Sequence, residues 1–133
     1  MNETSVKTTP YELMGGERTI LSLVDRFYFY MEILPEAKDV RDMHAQDLSN
    51  AKTKLFKFLS GWLGGPDLFI AEYGHPRLRQ RHFPFAIGEP EAEQWLLCMH
   101  KALAELTMDS RLRESLWQAL DQLARHMINK SDD

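Results

Sequence analysis

Glycines and prolines cut this chain into segments, and within the segments the apolar residues recur every three or four positions. The breaks are Gly15-Gly16, Pro35, Gly64-Gly65-Pro66, Pro76, Pro84 and Gly88-Glu89-Pro90. Glycine and proline punctuate helices because one frees the backbone and the other fixes φ and removes a donor. The first short helix ends at Gly15-Gly16. A second is predicted from about Glu17 to Met31, with Ile20, Val24, Phe27 or Tyr28, and Met31 on one stripe. Pro35 is placed to begin a third, reaching about Met43. Asp47 or Ser49 is placed to cap a fourth, whose stripe is Leu48, Ala51, Leu55, Phe58 or Leu59, and Trp62, with Lys52, Lys54 and Lys57 toward its edges. Gly64-Gly65-Pro66 stops it, and 66–75 reads as irregular with one turn near Leu68 to Glu72. Pro76 opens a short helix that Pro84 closes at Phe83. Pro90 starts a long helix to about Thr107, with Trp95, Leu96, Met99, Leu103 and Leu106 inward. A last helix runs from Asp109 or Ser110 to about Asn129, with Leu112, Leu116, Leu120, Leu123, Ala124 and Met127 inward. No segment alternates apolar and polar residues, so the fold class is all-α.

The 133 residues fit one domain, read as 11–133 behind a flexible N-terminal arm of residues 1–10. A net charge of −4 makes the chain a poor general binder of nucleic acid or anionic membrane. Its longest apolar runs are far too short to span a bilayer. Cys98 is the single cysteine, so there is no intramolecular disulfide, no CxxC and no CxxCH. That points to a reducing, cytoplasmic setting.

Chemistry is concentrated in the block Gly74-His75-Pro76-Arg77-Leu78-Arg79-Gln80-Arg81-His82-Phe83-Pro84-Phe85. A metal-ligating imidazole needs a fixed tautomer on a rigid support, which a short helix pinned between prolines supplies. Taken alone, His82 among arginines reads first as a partly exposed surface residue. Arg77, Arg79 and Arg81 form a cationic cluster suited to carboxylates or phosphates, or to solvated ion pairs. A zinc site using His75 and His82 lacks a recognised ligand spacing. Tyr28 and Trp95 lie on apolar stripes and read as core aromatics carrying a hydrogen-bond donor. His44 reads as a loop histidine, His100 and His126 as surface, and Cys98 as a small buried apolar residue.

Taken together, these segments resemble the truncated haemoglobins, specifically group II. The resemblance rests on Gly15-Gly16, Asp25-Arg26-Phe27-Tyr28, Lys54-Leu55-Phe56-Lys57-Phe58-Leu59, Trp62-Leu63-Gly64-Gly65-Pro66, the block from Gly74 to Ile87, and Trp95-Leu96-Leu97-Cys98-Met99. It covers residues 11 to about 129, and its most specific part is the histidine–arginine block. It implies a two-over-two helical sandwich around one non-covalent haem b. His82 then matches the proximal iron ligand. Tyr28, Trp95 and His44 match distal residues able to donate hydrogen bonds to bound O₂. Ala51 and Leu55 match the distal wall, and Lys54 and Arg81 the residues that meet the haem propionates. Phe58, Phe69, Ile87 and Met99 would supply apolar wall. The function implied is reversible binding of O₂, NO, CO or other small ligands, with tight O₂ retention. A second reading is NO dioxygenation or peroxide reduction, which needs an external reductase because the chain has no flavin or nicotinamide motif. A third is a haem-free helical interaction module. The resemblance allows a monomer or a homodimer.

Overall fold

The computed structural model describes residues 9–130. The predicted arm therefore lies mostly outside the described residues, but Thr9 already caps the first helix and Pro10 begins it. Among the described residues eight α-helices follow one another: α1 Pro10–Met14, α2 Gly16–Ile33, α3 Lys38–Asp42, α4 Ser49–Trp62, α5 Leu68–Tyr73, α6 Leu78–Arg81, α7 Glu89–Ala104 and α8 Ser110–His126. A 3₁₀ turn, Pro35–Ala37, leads into α3. The described residues contain no strand, as the absence of alternation implied.

Two helix pairs make the sandwich. α2 packs on α4, α7 packs on α8, and the pairs meet where α2 lies against α7. The apolar stripes dictate this arrangement. Ile20, Leu23, Phe27 and Met31 of α2 meet Cys98, Met99, Ala102 and Leu103 of α7 in a core where each is at most 2 % exposed. Each of the Ile, Leu, Phe and Met side chains, once buried, contributes about 1.5–3 kcal/mol of transfer free energy. Burial also pushes the Cys98 thiol up to about 11, in keeping with an inert core residue.

The glycine breaks make close approaches. Thr9 caps α1 reciprocally: its hydroxyl accepts from the Glu12 N–H at 3.1 Å while its own N–H donates to Glu12 Oε1 at 3.3 Å. α1 is then laid across the end of α4 by a bond from the Tyr11 N–H to the Leu63 carbonyl at 2.9 Å. The Tyr11 ring lies so close to Gly65 that a Cβ there would come within 2.4 Å of it. Gly15, at φ 116°, turns the chain from α1 into α2 in a conformation that other residues seldom adopt.

Two readings of the pattern change on inspection. Trp62 is 36 % exposed rather than inward: it ends α4 at the rim and stacks on Phe58 with its outer face open. α6 begins at Leu78, not Pro76, because Arg77 takes a left-handed conformation at φ 43° and donates its N–H to His75 Nδ1 at 3.1 Å. The turn expected near Leu68 is the six-residue α5, whose Phe69 is buried. No helix among the described residues is long and apolar enough to cross a membrane.

Candidate functional site

A cavity of about 520 Å³ lies between α2, α3, α4, α5, α6 and α7, with α8 behind it. That is within the range of sites for small organic ligands, roughly 300–1,000 Å³. Tyr28, His44, Ala51, Leu55 and Trp95 line one side of it, with Phe58 and Phe69 beside them. His82 and Ile87 line it from the segment around and after α6, and Lys54 and Arg81 are also on the lining. The half-burial of Ala51, Leu55 and Phe58, on a stripe that should be fully inward, has this cause: they face the cavity rather than a neighbouring helix. Met99 is the exception among the predicted residues. It shares a stripe with Trp95 but is wholly buried in the α2–α7 core and is not part of the lining.

His82 follows the last residue of α6. The Leu78 carbonyl accepts two bonds from it, from the backbone N–H at 3.1 Å and from the ring at Nδ1 at 2.6 Å. The tautomer of the neutral ring is thereby fixed as Nδ1–H, which places its lone pair on Nε2. His44 repeats the device: its Nδ1 donates to the Val40 carbonyl at 2.9 Å. In neutral form its free nitrogen is therefore an acceptor, whereas the resemblance expected a donor there. Burial holds His44 below the usual histidine range against the bond to the Val40 carbonyl, which raises it, and the charge of Arg41 adds to the lowering. α3 is itself held by Gln94, which accepts from the Val40 N–H at 3.0 Å and donates to Asp39 at 3.0 Å.

The aromatic side is a packed stack. Phe27, fully buried, sits between Tyr28 and Trp95, with ring centroids at 4.8 and 5.1 Å. Tyr28 in turn meets the His44 ring edge-on at 5.8 Å. Its hydroxyl donates to the Ala51 carbonyl at only 3.5 Å, near the limit of a hydrogen bond. Burial pushes the Tyr28 phenol well above its ordinary range, so it stays protonated and remains a donor. The Trp95 indole N–H has no acceptor among the described residues.

The cationic rim is organised about Tyr73. Arg81 donates to the Pro76 carbonyl at 2.6 Å and to the Tyr73 carbonyl at 3.3 Å, and lies over the Phe69 ring. Lys54 Nζ stands 5.6 Å from the Tyr73 ring centroid. Lys57, by contrast, is taken by Glu72. Among the described residues no cluster of three His, Cys, Asp or Glu side chains could hold a metal ion, so the zinc reading finds no ligand set.

A model of the bacterial-like globin family matches residues 9–129. The chain is 39% identical over 123 residues to group 2 truncated hemoglobin YjbI of Bacillus subtilis, covering 92% of this chain and 90% of that one. The chain belongs to the group II truncated haemoglobins. Solved structures agree on the two-over-two architecture. The cold-adapted truncated hemoglobin of the Antarctic bacterium Pseudoalteromonas haloplanktis is 48% identical, with a TM-score of 0.91 over 93% of this chain and 100% of that one. The group II 2-on-2 hemoglobin of Agrobacterium tumefaciens is 42% identical, with a TM-score of 0.92 over 97% and 100%. Membership in this family implies haem-based binding of small gaseous ligands such as O₂.

The residues of this truncated haemoglobin fit haem. The cavity is walled mainly by apolar and aromatic side chains, which suits a flat apolar plate. One imidazole is locked in the tautomer that leaves Nε2 free, and an unpartnered indole donor stands among the lining residues. Two cations on the lining, Lys54 and Arg81, match two carboxylates in number and sign, Arg81 being bonded to loop carbonyls in this structure. Sequence reasoning overlooked Phe27 as the spacer between Tyr28 and Trp95, and Gln94 as the clamp on α3. Phe27 was legible only as a core position, and Gln94 carries no periodic signal at all.

Proposed function

We propose that this truncated haemoglobin binds haem b non-covalently through His82 and retains O₂ tightly through donors on the opposite wall. The carrying observation is the short bond from His82 Nδ1 to the Leu78 carbonyl, which holds the imidazole in the ligating tautomer. Haem supplies an iron centre at which a diatomic ligand binds reversibly. A carbonyl acceptor on the ligand histidine raises the basicity of the nitrogen that binds the metal. Lys54 and Arg81 hold the propionates, which requires Arg81 to give up its bonds to the loop carbonyls. The lone cysteine is buried in the core and absent from the lining, which supports non-covalent attachment.

On the ligand side, Trp95 and Tyr28 are the donors. Trp95 can only donate, which suits an acceptor such as O₂. Tyr28 gives up a bond already stretched to 3.5 Å and so loses little on re-aiming its hydroxyl. His44 has the opposite hydrogen-bonding sense: its lone pair can accept from a neighbouring hydroxyl and so help orient it, but in neutral form it does not donate to the ligand. Two donors rather than three therefore set O₂ retention. Hydrogen bonds to charged acceptors contribute roughly 1.5–3 kcal/mol each, so each is worth about ten- to hundredfold in release rate. The test is to reconstitute the protein with haemin, reduce it, record the absorption spectrum and follow O₂ dissociation. A Soret band with slow O₂ release is expected; no Soret band after reconstitution ends the reading.

A further inference from the structure

α6 has only four residues, and Phe83, Pro84, Phe85 and Ala86 after it are all exposed. Such a segment has little apolar burial to hold it. It nevertheless carries His82 at one end and the cavity-lining Ile87 at the other. What binds it comes from the far end of the chain. Asn129, three residues past the end of α8, donates from Nδ2 to the His82 carbonyl at 3.1 Å and to the Phe85 carbonyl at 2.9 Å. Its Oδ1 accepts the Ile87 N–H at 2.9 Å, and its own backbone N–H donates to the Ile87 carbonyl at 2.7 Å. Both protons of the amide and its oxygen are thus used on a single stretch, His82 to Ile87. The two carbonyls on the nitrogen side and the N–H on the oxygen side fix which way the amide faces. The next residue continues the strap: the Lys130 N–H also reaches the Ile87 carbonyl, at 3.1 Å, and its ammonium lies 3.7 Å from Glu91.

We propose that Asn129 is a positioning residue for His82, fixing the backbone that aims the imidazole at haem. The proposal rests on the reading of His82 as the haem ligand. The Leu78 carbonyl sets the ring tautomer and accepts the His82 N–H, and behind the ring the His82 carbonyl accepts from the Phe85 N–H at 3.0 Å and from the Asn129 amide, which ties it to the far end of the chain. Loss of the Asn129 amide leaves the tautomer intact but lets the ring's orientation vary.

The experiment uses the full chain reconstituted with haemin, as wild type and as Asn129→Ala, Asn129→Asp and Lys130→Ala. The readouts are the iron–imidazole stretching band of the ferrous protein, the rate of haem loss to an apo-globin acceptor, and amide hydrogen exchange at Ile87. Asn129→Ala should broaden or split the band and speed haem loss about tenfold, since the three side-chain hydrogen bonds to the segment are removed and part of their strength is transmitted to haem. Asn129→Asp keeps the acceptor for the Ile87 N–H and loses both donors to the carbonyls. It should therefore perturb the band while leaving exchange at Ile87 slow. Lys130→Ala, which keeps the same tail but does not touch His82, should leave the band as in wild type. A band and haem-loss rate unchanged in both Asn129 variants overturn the proposal. If Asn129→Ala does not fold, Asn129→Asp decides by the same criterion. A wild-type protein with no iron–imidazole band overturns the His82 reading itself, an outcome visible before any variant is compared.

Discussion

Tyr28 and Trp95 stand on helices of 18 and 16 residues, whereas His82 follows a helix of four. The first pair is held by packing: Phe27 fills the space between their rings and is itself wholly buried. His82 is held by hydrogen bonds, from its ring to Leu78 and from Asn129 to its carbonyl, in a stretch with four consecutive exposed residues. The contrast suits two tasks. A donor aimed at a small ligand must be rigid to a fraction of an ångström, which dense packing provides. A residue beside which a large planar group must enter benefits from a wall that opens at low cost.

This difference can be broken by mutation. The largest effect should come from the packed side. Phe27→Ala should destabilise the protein by about 3–5 kcal/mol, and Phe85→Ala, in the segment after His82 and 42 % exposed, by no more than about 1 kcal/mol. Denaturant unfolding checks both, and equal costs would erase the distinction between the walls. Next come the ligand donors. Trp95→Phe and Tyr28→Phe should each speed O₂ release by roughly ten- to hundredfold in stopped-flow measurements, with stability changed far less. His44→Phe should change the rate less than either, because neutral His44 offers an acceptor.

A smaller effect depends on pH. His44 is half-buried with its folded pKa lowered, so the unfolded chain binds a proton that the folded chain refuses. Stability should thus fall as pH drops below about 6.5, the ordinary histidine value, toward the lower folded value, and be unaffected by this group above it. Unfolding curves of His44→Phe should lack that part of the slope; an unaltered slope would refute the assignment. The smallest effect belongs to Arg26 and Glu105, which join α2 to the end of α7 at 2.7 Å but are each about one third exposed. Arg26→Ala should cost about 1 kcal/mol or less by thermal melting.

The two walls were also unequally legible in the sequence. Long helices announce themselves, because α2, α7 and α8 each repeat their apolar stripe over four or more turns. α5 has six residues, too few for a period to register, and α6 could not be placed because Pro76 does not reveal that Arg77 turns left-handed. Periodicity says which residues face inward but not what they face. Trp95 and Met99, four apart on one stripe, are separated by the structure into cavity wall and core. The histidine–arginine block was legible as chemistry and by its resemblance. The polar clamps were not: Asn129, Gln94 and the Leu78 and Val40 carbonyls act through contacts across the fold or through backbone atoms that no residue pattern encodes. The tautomer of His44, which reverses its expected sense, belongs to the same class.

The claim on which the function rests is that His82 Nε2 ligates the haem iron. His82→Gly, reconstituted with haemin and reduced, should lose the iron–imidazole stretching band and regain one when free imidazole is added. A band in His82→Gly unchanged from wild type, before any imidazole is added, would contradict it.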